Sequence, residues 1–138
     1  MEPQKSTHIL IVEDNDDDSF MLIRQLERAQ IHDHATVITN GREALDLLLK
    51  ESAAPPLAVF LDLHLPGLGG IQVLEGIRKT PHLESVPVFI MTGSDDPKEL
   101  EECRKLGITA YLPKPIQLRT FIKAVAHLFP KAVAPESQ

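Results

Sequence analysis

Five short apolar runs, each followed by a longer segment, constrain the fold of this chain more than any other feature. The runs are His8 to Val12, Ala35 to Thr39, Leu57 to Leu61, Val86 to Met91 and Thr109 to Leu112. Continuous apolar stretches of this length read as strands buried on both faces. Between them, Leu22, Leu26 and Ala29 share one face of a helix predicted from Ser19 to Gln30. Asn40 is placed to cap a second helix, with Glu43 as the return acceptor of a capping box. Ile71, Leu74 and Ile77 mark a third. The fourth has the clearest start: Asp96 caps, Pro97 takes the first helical position and Glu99 the third. Leu100, Cys103 and Leu106 follow on one face, and Gly107 ends it. Leu118, Phe121, Ile122 and Val125 mark a fifth helix. Strict alternation implies an α/β fold, a doubly wound parallel sheet with helices on both faces. With 138 residues, 43% of them hydrophobic, one sizeable core is within reach. No linker divides the chain. A single domain over 1–138 is expected, with its core at 8–129 and a disordered tail at 130–138.

In a parallel sheet the carboxyl ends of the strands form one edge, where open α/β folds bind ligands. Glu13 and Asp14 follow the first run, Asp62 the third and Thr92 the fourth, while Lys114 lies just past the fifth. These five side chains are expected to meet in one cleft. Three acids together repel one another unless a cation sits between them. Asp14 and Asp62 suit direct ligation of Mg2+ or Mn2+, and the longer Glu13 suits holding a metal-bound water. A carboxylate can also attack phosphorus to give an aspartyl phosphate. Lys114 would then neutralise phosphoryl charge, Thr92 would offer its hydroxyl, and Gly93 leaves the approach open. A dinucleotide or flavin site does not fit. Those sites need a turn after the first strand whose N–H groups receive phosphate. Here that turn is Glu13-Asp14-Asn15-Asp16-Asp17-Asp18, which repels phosphate in the absence of metal.

Composition narrows the class further. The net charge of -6 argues against nucleic-acid binding, which needs cations to replace phosphate counterions. No stretch approaches the roughly 20 apolar residues of a membrane helix. The polar start, Met1 to Thr7, lacks the apolar core of a signal peptide. Cys103 is the single cysteine, so a reducing, cytoplasmic setting is expected. The six histidines show no metal-ligand spacing.

Taken in order, Val12-Glu13-Asp14-Asn15, Phe60-Leu61-Asp62-Leu63-His64-Leu65-Pro66-Gly67 with Gly70, Met91-Thr92-Gly93 and Tyr111-Leu112-Pro113-Lys114-Pro115 resemble response-regulator receiver domains of two-component signalling. The resemblance spans residues 8 to about 129. It implies a flavodoxin-like strand order of 2-1-3-4-5, as in the chemotaxis receiver that serves as a standard example. It implies that Asp62 is the phosphoacceptor and that Asp14 ligates Mg2+ directly. Glu13 would do so through water, and the backbone carbonyl of His64 would complete the protein ligands. Lys114 would pair with the phosphoryl group, held by a cis Lys114–Pro115 bond. Thr92 and Tyr111 would form a switch pair that reports phosphorylation to the face of the fourth helix, fifth strand and fifth helix. That face would bind a second copy or another partner. The implied donor is a sensor histidine kinase or a phosphotransfer protein. The His-Leu-Pro-Gly stretch and the connection Lys79 to Ser85 look most like stand-alone receivers serving bacterial phytochrome kinases.

Two departures and two competing readings complete the picture. Glu13 replaces one of the two aspartates common in such acidic pairs, and His64 stands where relatives often have Asn, Met or Arg. With Ser94, His64 is expected to set how fast an acyl phosphate hydrolyses. The first competing reading is an aspartyl-phosphate hydrolase, which needs a second Asp two residues past the nucleophile, where this chain has His64. The second is an interaction module that works without phosphorylation. Plainer roles are expected for several residues: Asp16, Asp17 and Asp18 as a solvated helix start favoured by the helix dipole, Cys103 as core, and Tyr111 equally as an edge-strand aromatic.

Overall fold

A computed structural model of the chain describes residues 8–31, 34–50 and 54–128. The chain alternates β1 (Ile9–Val12), α1 (Asp16–Arg28), β2 (Ala35–Ile38), α2 (Gly41–Leu49), β3 (Ala58–Asp62), α3 (Gly70–Lys79), β4 (Val88–Thr92), α4 (Pro97–Leu106), β5 (Ala110–Pro113) and α5 (Leu118–Leu128). All strand pairs are parallel, in the order β2-β1-β3-β4-β5. This is the doubly wound sheet that the alternation predicts.

Successive side chains on a strand point to opposite faces, so each buried strand feeds two cores. Leu10, Val12, Val59, Leu61, Val88 and Ile90 pack against Ala44, Val73, Leu74, Ile77 and Cys103 on one side. Ile9, Ile11, Ala58, Phe60, Phe89 and Met91 pack against Leu22, Leu26, Phe121 and Val125 on the other. On that second side Phe60 stacks on Phe89 at 4.7 Å and meets Phe121 edge-on at 5.1 Å. Cys103 is fully buried, as its helical spacing suggests.

Several boundaries differ from the sequence expectation. Helix α1 starts at Asp16 rather than Ser19 because Asn15 is extended and its Oδ1 accepts the N–H of Asp18 at 2.9 Å. Asp62 and Thr92 are the last residues of their strands rather than the first residues after them. Asn40 and Asp96 cap their helices as expected. Leu83, which hydropathy left in a connection, lies in a short 3-10 turn from Pro81 to Leu83 and is buried. The polar start and the tail expected to be disordered lie outside the described residues.

Two features fix the sheet edge. Gly70 opens α3 hard against the end of β3, where a Cβ would fall 2.3 Å from the Asp62 carbonyl oxygen. Arg78 clamps three carbonyls: Nε donates to Gly107 at 3.0 Å, and Nη1 donates to Glu84 at 2.8 Å and to Val86 at 3.0 Å. Its guanidinium therefore ties the end of α3 to the end of α4 and to the entry of β4.

Candidate functional site

Because β1, β3, β4 and β5 run in parallel, their ends deliver chemistry to one edge. The Glu13 N–H continues the ladder to Ile38 O at 3.0 Å, which fixes Glu13 at the sheet rather than in the loop. Its Oε2 accepts the N–H of Asn15 at 3.1 Å. Asp62 Oδ1 accepts the N–H of His64 at 3.1 Å. The Lys114 N–H donates to Thr92 O at 2.8 Å, and the Lys114–Pro115 bond is cis.

The Lys114 side chain reaches back over this edge. Its Nζ lies 2.8 Å from Glu13 Oε1, 3.0 Å from Asp62 Oδ2 and 3.1 Å from Asp18 Oδ2. Glu13 is 0% exposed and Asp62 only 6%. The contact to Glu13 Oε1 is one of charge: Oε1 is buried and has no aligned hydrogen-bond partner. Burial pushes the Glu13 carboxyl up to about 7, with Lys114 and the Asn15 N–H pulling against it and Asp62 adding to the push. Burial also works against the Lys114 ammonium, but its contacts with Glu13, Asp62 and Asp18 together outweigh that and raise its pKa. Both directions hold at once because one ammonium is divided among three carboxylates. It cannot offset the burial of Glu13 in full.

Ligand oxygens of Glu13, Asp14 and Asp62 lie within 4.8 Å of one another. An all-oxygen donor set, with one buried carboxylate oxygen lacking a hydrogen bond, fits a hard divalent cation better than a soft one. Asp14 is exposed and open to solvent on its outer side.

Thr92 is buried at the same edge, its Oγ1 accepting the N–H of Ser94 at 2.9 Å. Tyr111 pairs with Ile90 across β4 and β5, and its hydroxyl donates to the carbonyl of Leu100 in α4. The His64 ring is largely exposed in its loop, and its Nε2 meets Glu99 Oε2 at 3.1 Å. Hydrogen bonds from Ser94 and His64 hold the Glu99 carboxyl below its ordinary range.

The structure therefore brings together Glu13, Asp14, Asp62 and Lys114, with Thr92 beside them. Sequence reasoning missed two neighbours. Asp18, read as a solvated helix start, touches Lys114. Glu99, read as a first-turn acid, holds His64. The earlier start of α1 is the local reason for the first, and no spacing signal connects Glu99 to His64 across 35 residues of sequence.

A family model described as the response regulator receiver domain matches residues 9–126. The probable methanogenesis regulatory protein FilR2 of Methanothrix harundinacea is 31% identical over 123 residues, which are 87% of this chain and 79% of that protein. The chain spans only 17% of another relative, the sensory/regulatory protein RpfC of Xanthomonas campestris, at 28% identity. Among solved structures, the bacteriophytochrome response regulator AtBRR is 34% identical with a TM-score of 0.73, covering 92% of this chain and 94% of its own. The Mn(2+)-bound form of response regulator Rcp1 is 29% identical with a TM-score of 0.74, covering 94% of this chain and 95% of its own. Among the described residues, no helix is long and apolar enough to cross a membrane.

Proposed function

Because the chain belongs to the response-regulator receiver family, whose members accept phosphate from histidine kinases, we propose that Asp62 is its phosphoacceptor. The observation that carries this reading is Lys114 Nζ at 3.0 Å from Asp62 Oδ2, beside the acidic cluster. A carboxylate oxygen of Asp62 attacks phosphorus as the bond to the donor nitrogen breaks. Lys114 neutralises a phosphoryl oxygen, and the buried edge limits access of water. Asp14 and Asp62 would hold Mg2+ or Mn2+ directly, with Glu13 through water and the His64 carbonyl completing the protein ligands. Bound there, the ion would supply positive charge to offset the negative charge gathered at the reacting oxygens. In support, Rcp1 has been solved with Mn(2+). The chain acts on itself rather than turning over a small substrate. A hydrolase of this kind would need a second Asp two residues past Asp62, and this chain has His64 there, its ring paired with Glu99.

The donor we favour is a phytochrome-type histidine kinase, on the strength of the likeness to AtBRR. Residues 9–126 work as one domain in this reading. The phosphoryl group draws in the Thr92 hydroxyl, and Tyr111 passes the change to α4 through its bond to Leu100. The readout face is then α4, β5 and α5, offered to a second copy or a separate partner.

Acetyl phosphate with Mg2+ should label one residue, Asp62, and Asp62→Asn should carry no label. Equal labelling of the variant, by intact mass and by peptide mapping, refutes the proposal.

Glu13 adds a pH signature. Burial pushes its carboxyl up to about 7, and the ionised form attracts a metal and its bound water far better than the protonated form. Mg2+ affinity is therefore expected to climb as pH rises towards 7, approaching about tenfold per pH unit well below it, and to level off above. The sign for the metal-free fold is opposite. The raised value means the folded chain keeps a proton that the unfolded chain has lost, so this group's stabilisation falls between the ordinary carboxylate range and pH 7. Calorimetric Mg2+ titrations across pH should show the slope in wild type and a flatter profile in Glu13→Gln.

A further inference from the structure

We propose that Asp18 is a positioning residue that competes with the incoming phosphoryl group for the Lys114 ammonium. The proposal rests on the reading of Asp62 as phosphoacceptor. An ammonium has three donors. Here Nζ has three carboxylate neighbours: Glu13 at 2.8 Å, Asp62 at 3.0 Å and Asp18 at 3.1 Å. Only the Asp62 contact has hydrogen-bond geometry, but all three carboxylates crowd the ammonium, so a phosphoryl oxygen pairing with it must displace one of them.

The three differ in what yielding costs. Glu13 Oε1 is buried and has no hydrogen bond, so losing Nζ would strand a carboxylate oxygen away from water. Asp62 itself carries the phosphoryl group and keeps it beside the lysine. The Asp18 side chain is 36% exposed, so water can take over the place of Nζ. It also sits in the first turn of α1, where the helix dipole favours a negative charge with or without the lysine. Asp18 is therefore the contact that yields. Until then it shares the charge of Lys114 and adds negative charge where an anionic donor must arrive. It lies outside the cluster of Glu13, Asp14 and Asp62, so it supplies no ligand to a metal there. Asp17, in the same turn, makes no ion pair with Lys114 among the described residues. It is an internal control for charge alone.

The test measures initial labelling rate against acetyl phosphate concentration at saturating Mg2+, for wild type, Asp18→Asn, Asp18→Ala and Asp17→Asn. Asp18→Asn keeps the shape and removes the charge. Both Asp18 variants are expected to lower the half-saturating donor concentration about threefold, the scale of a partly exposed ion pair, with the limiting rate held. Asp17→Asn should follow wild type, and calorimetric Mg2+ affinity should not rise in the Asp18 variants, so a lower half-saturating donor concentration cannot come from tighter metal binding. If the Asp18 variants match Asp17→Asn, or label more slowly than wild type, Asp18 does not compete and the proposal is overturned. A wild-type chain without label at Asp62 overturns the acceptor reading, and this proposal with it.

Discussion

Lys114→Ala is expected to unfold roughly 12 °C below wild type in metal-free buffer and to recover about half of that loss with Mg2+ at tenfold excess over Kd. The ammonium is the one cation within 3.1 Å of Glu13, Asp62 and Asp18 among the described residues. Removing it leaves the fully buried Glu13 beside Asp62 with no opposite charge. Removing one partner of a buried pair costs about 3–5 kcal/mol, and about 3 kcal/mol is expected here because Glu13 can take up a proton instead. At about 4 °C per kcal/mol for a chain of this size, that gives the shift stated. Divalent cation replaces the missing charge, and binding to the folded chain adds about 1.4 kcal/mol at tenfold excess over Kd. The variant should gain more from Mg2+ than wild type, because its acids no longer share themselves with an ammonium. Lys114→Met, which keeps the stem, separates charge from packing. Thermal unfolding with chelator and with Mg2+ decides the matter. Equal melting of variant and wild type in chelator would show that the acids do not depend on Lys114.

Gly70→Ala is expected to cost about 3 kcal/mol or more and to disturb Asp62 itself. The new Cβ would lie 2.3 Å from the Asp62 carbonyl oxygen and 2.6 Å from Leu63 Cα. Both are backbone atoms, so no flexible side chain can give way. Either α3 lifts off or the end of β3 moves, and the second alters the position of the acceptor. The neighbouring Gly69→Ala is the control. Its Cβ would meet nothing closer than Gln72 Oε1 at 3.6 Å. Its melting point should stay near wild type, and so should its labelling rate with acetyl phosphate. A Gly70→Ala chain as stable as Gly69→Ala would mean that this close approach relaxes freely.

Most of this architecture can be read from the chain because its signals are local. A buried strand announces itself by a short apolar run. The residue that ends the run is bound to sit at the sheet edge, so Glu13, Asp62, Thr92 and Lys114 converge by topology alone. What stayed hidden depends on side chains reaching across the fold. Asp18 looks like any first-turn acid until α1 starts at Asp16 and brings it within reach of Lys114. The pairing of His64 with Glu99 joins a loop to a helix that nothing in the local pattern relates. Arg78 reads as a charge in the last turn of α3, yet its guanidinium faces three carbonyls. Leu83 was obscured by the proline before it, since hydropathy does not register a single buried side chain in a tight turn.

The Arg78 clamp has a mechanical consequence for α4. It grips the chain at Gly107, just past the last turn of that helix, while the first turn near the cleft is held by exposed polar contacts such as His64 to Glu99. A rod fixed at one end answers a push at the other by tilting about its anchor. Small displacements at Pro97 and Glu99 would then sweep the midpoint of α4 less than its tip. Leu100, tied to Tyr111, lies near the moving end. The leverage is greatest where the helix meets the cleft and vanishes at the guanidinium, so Arg78 sets the fulcrum of the lever.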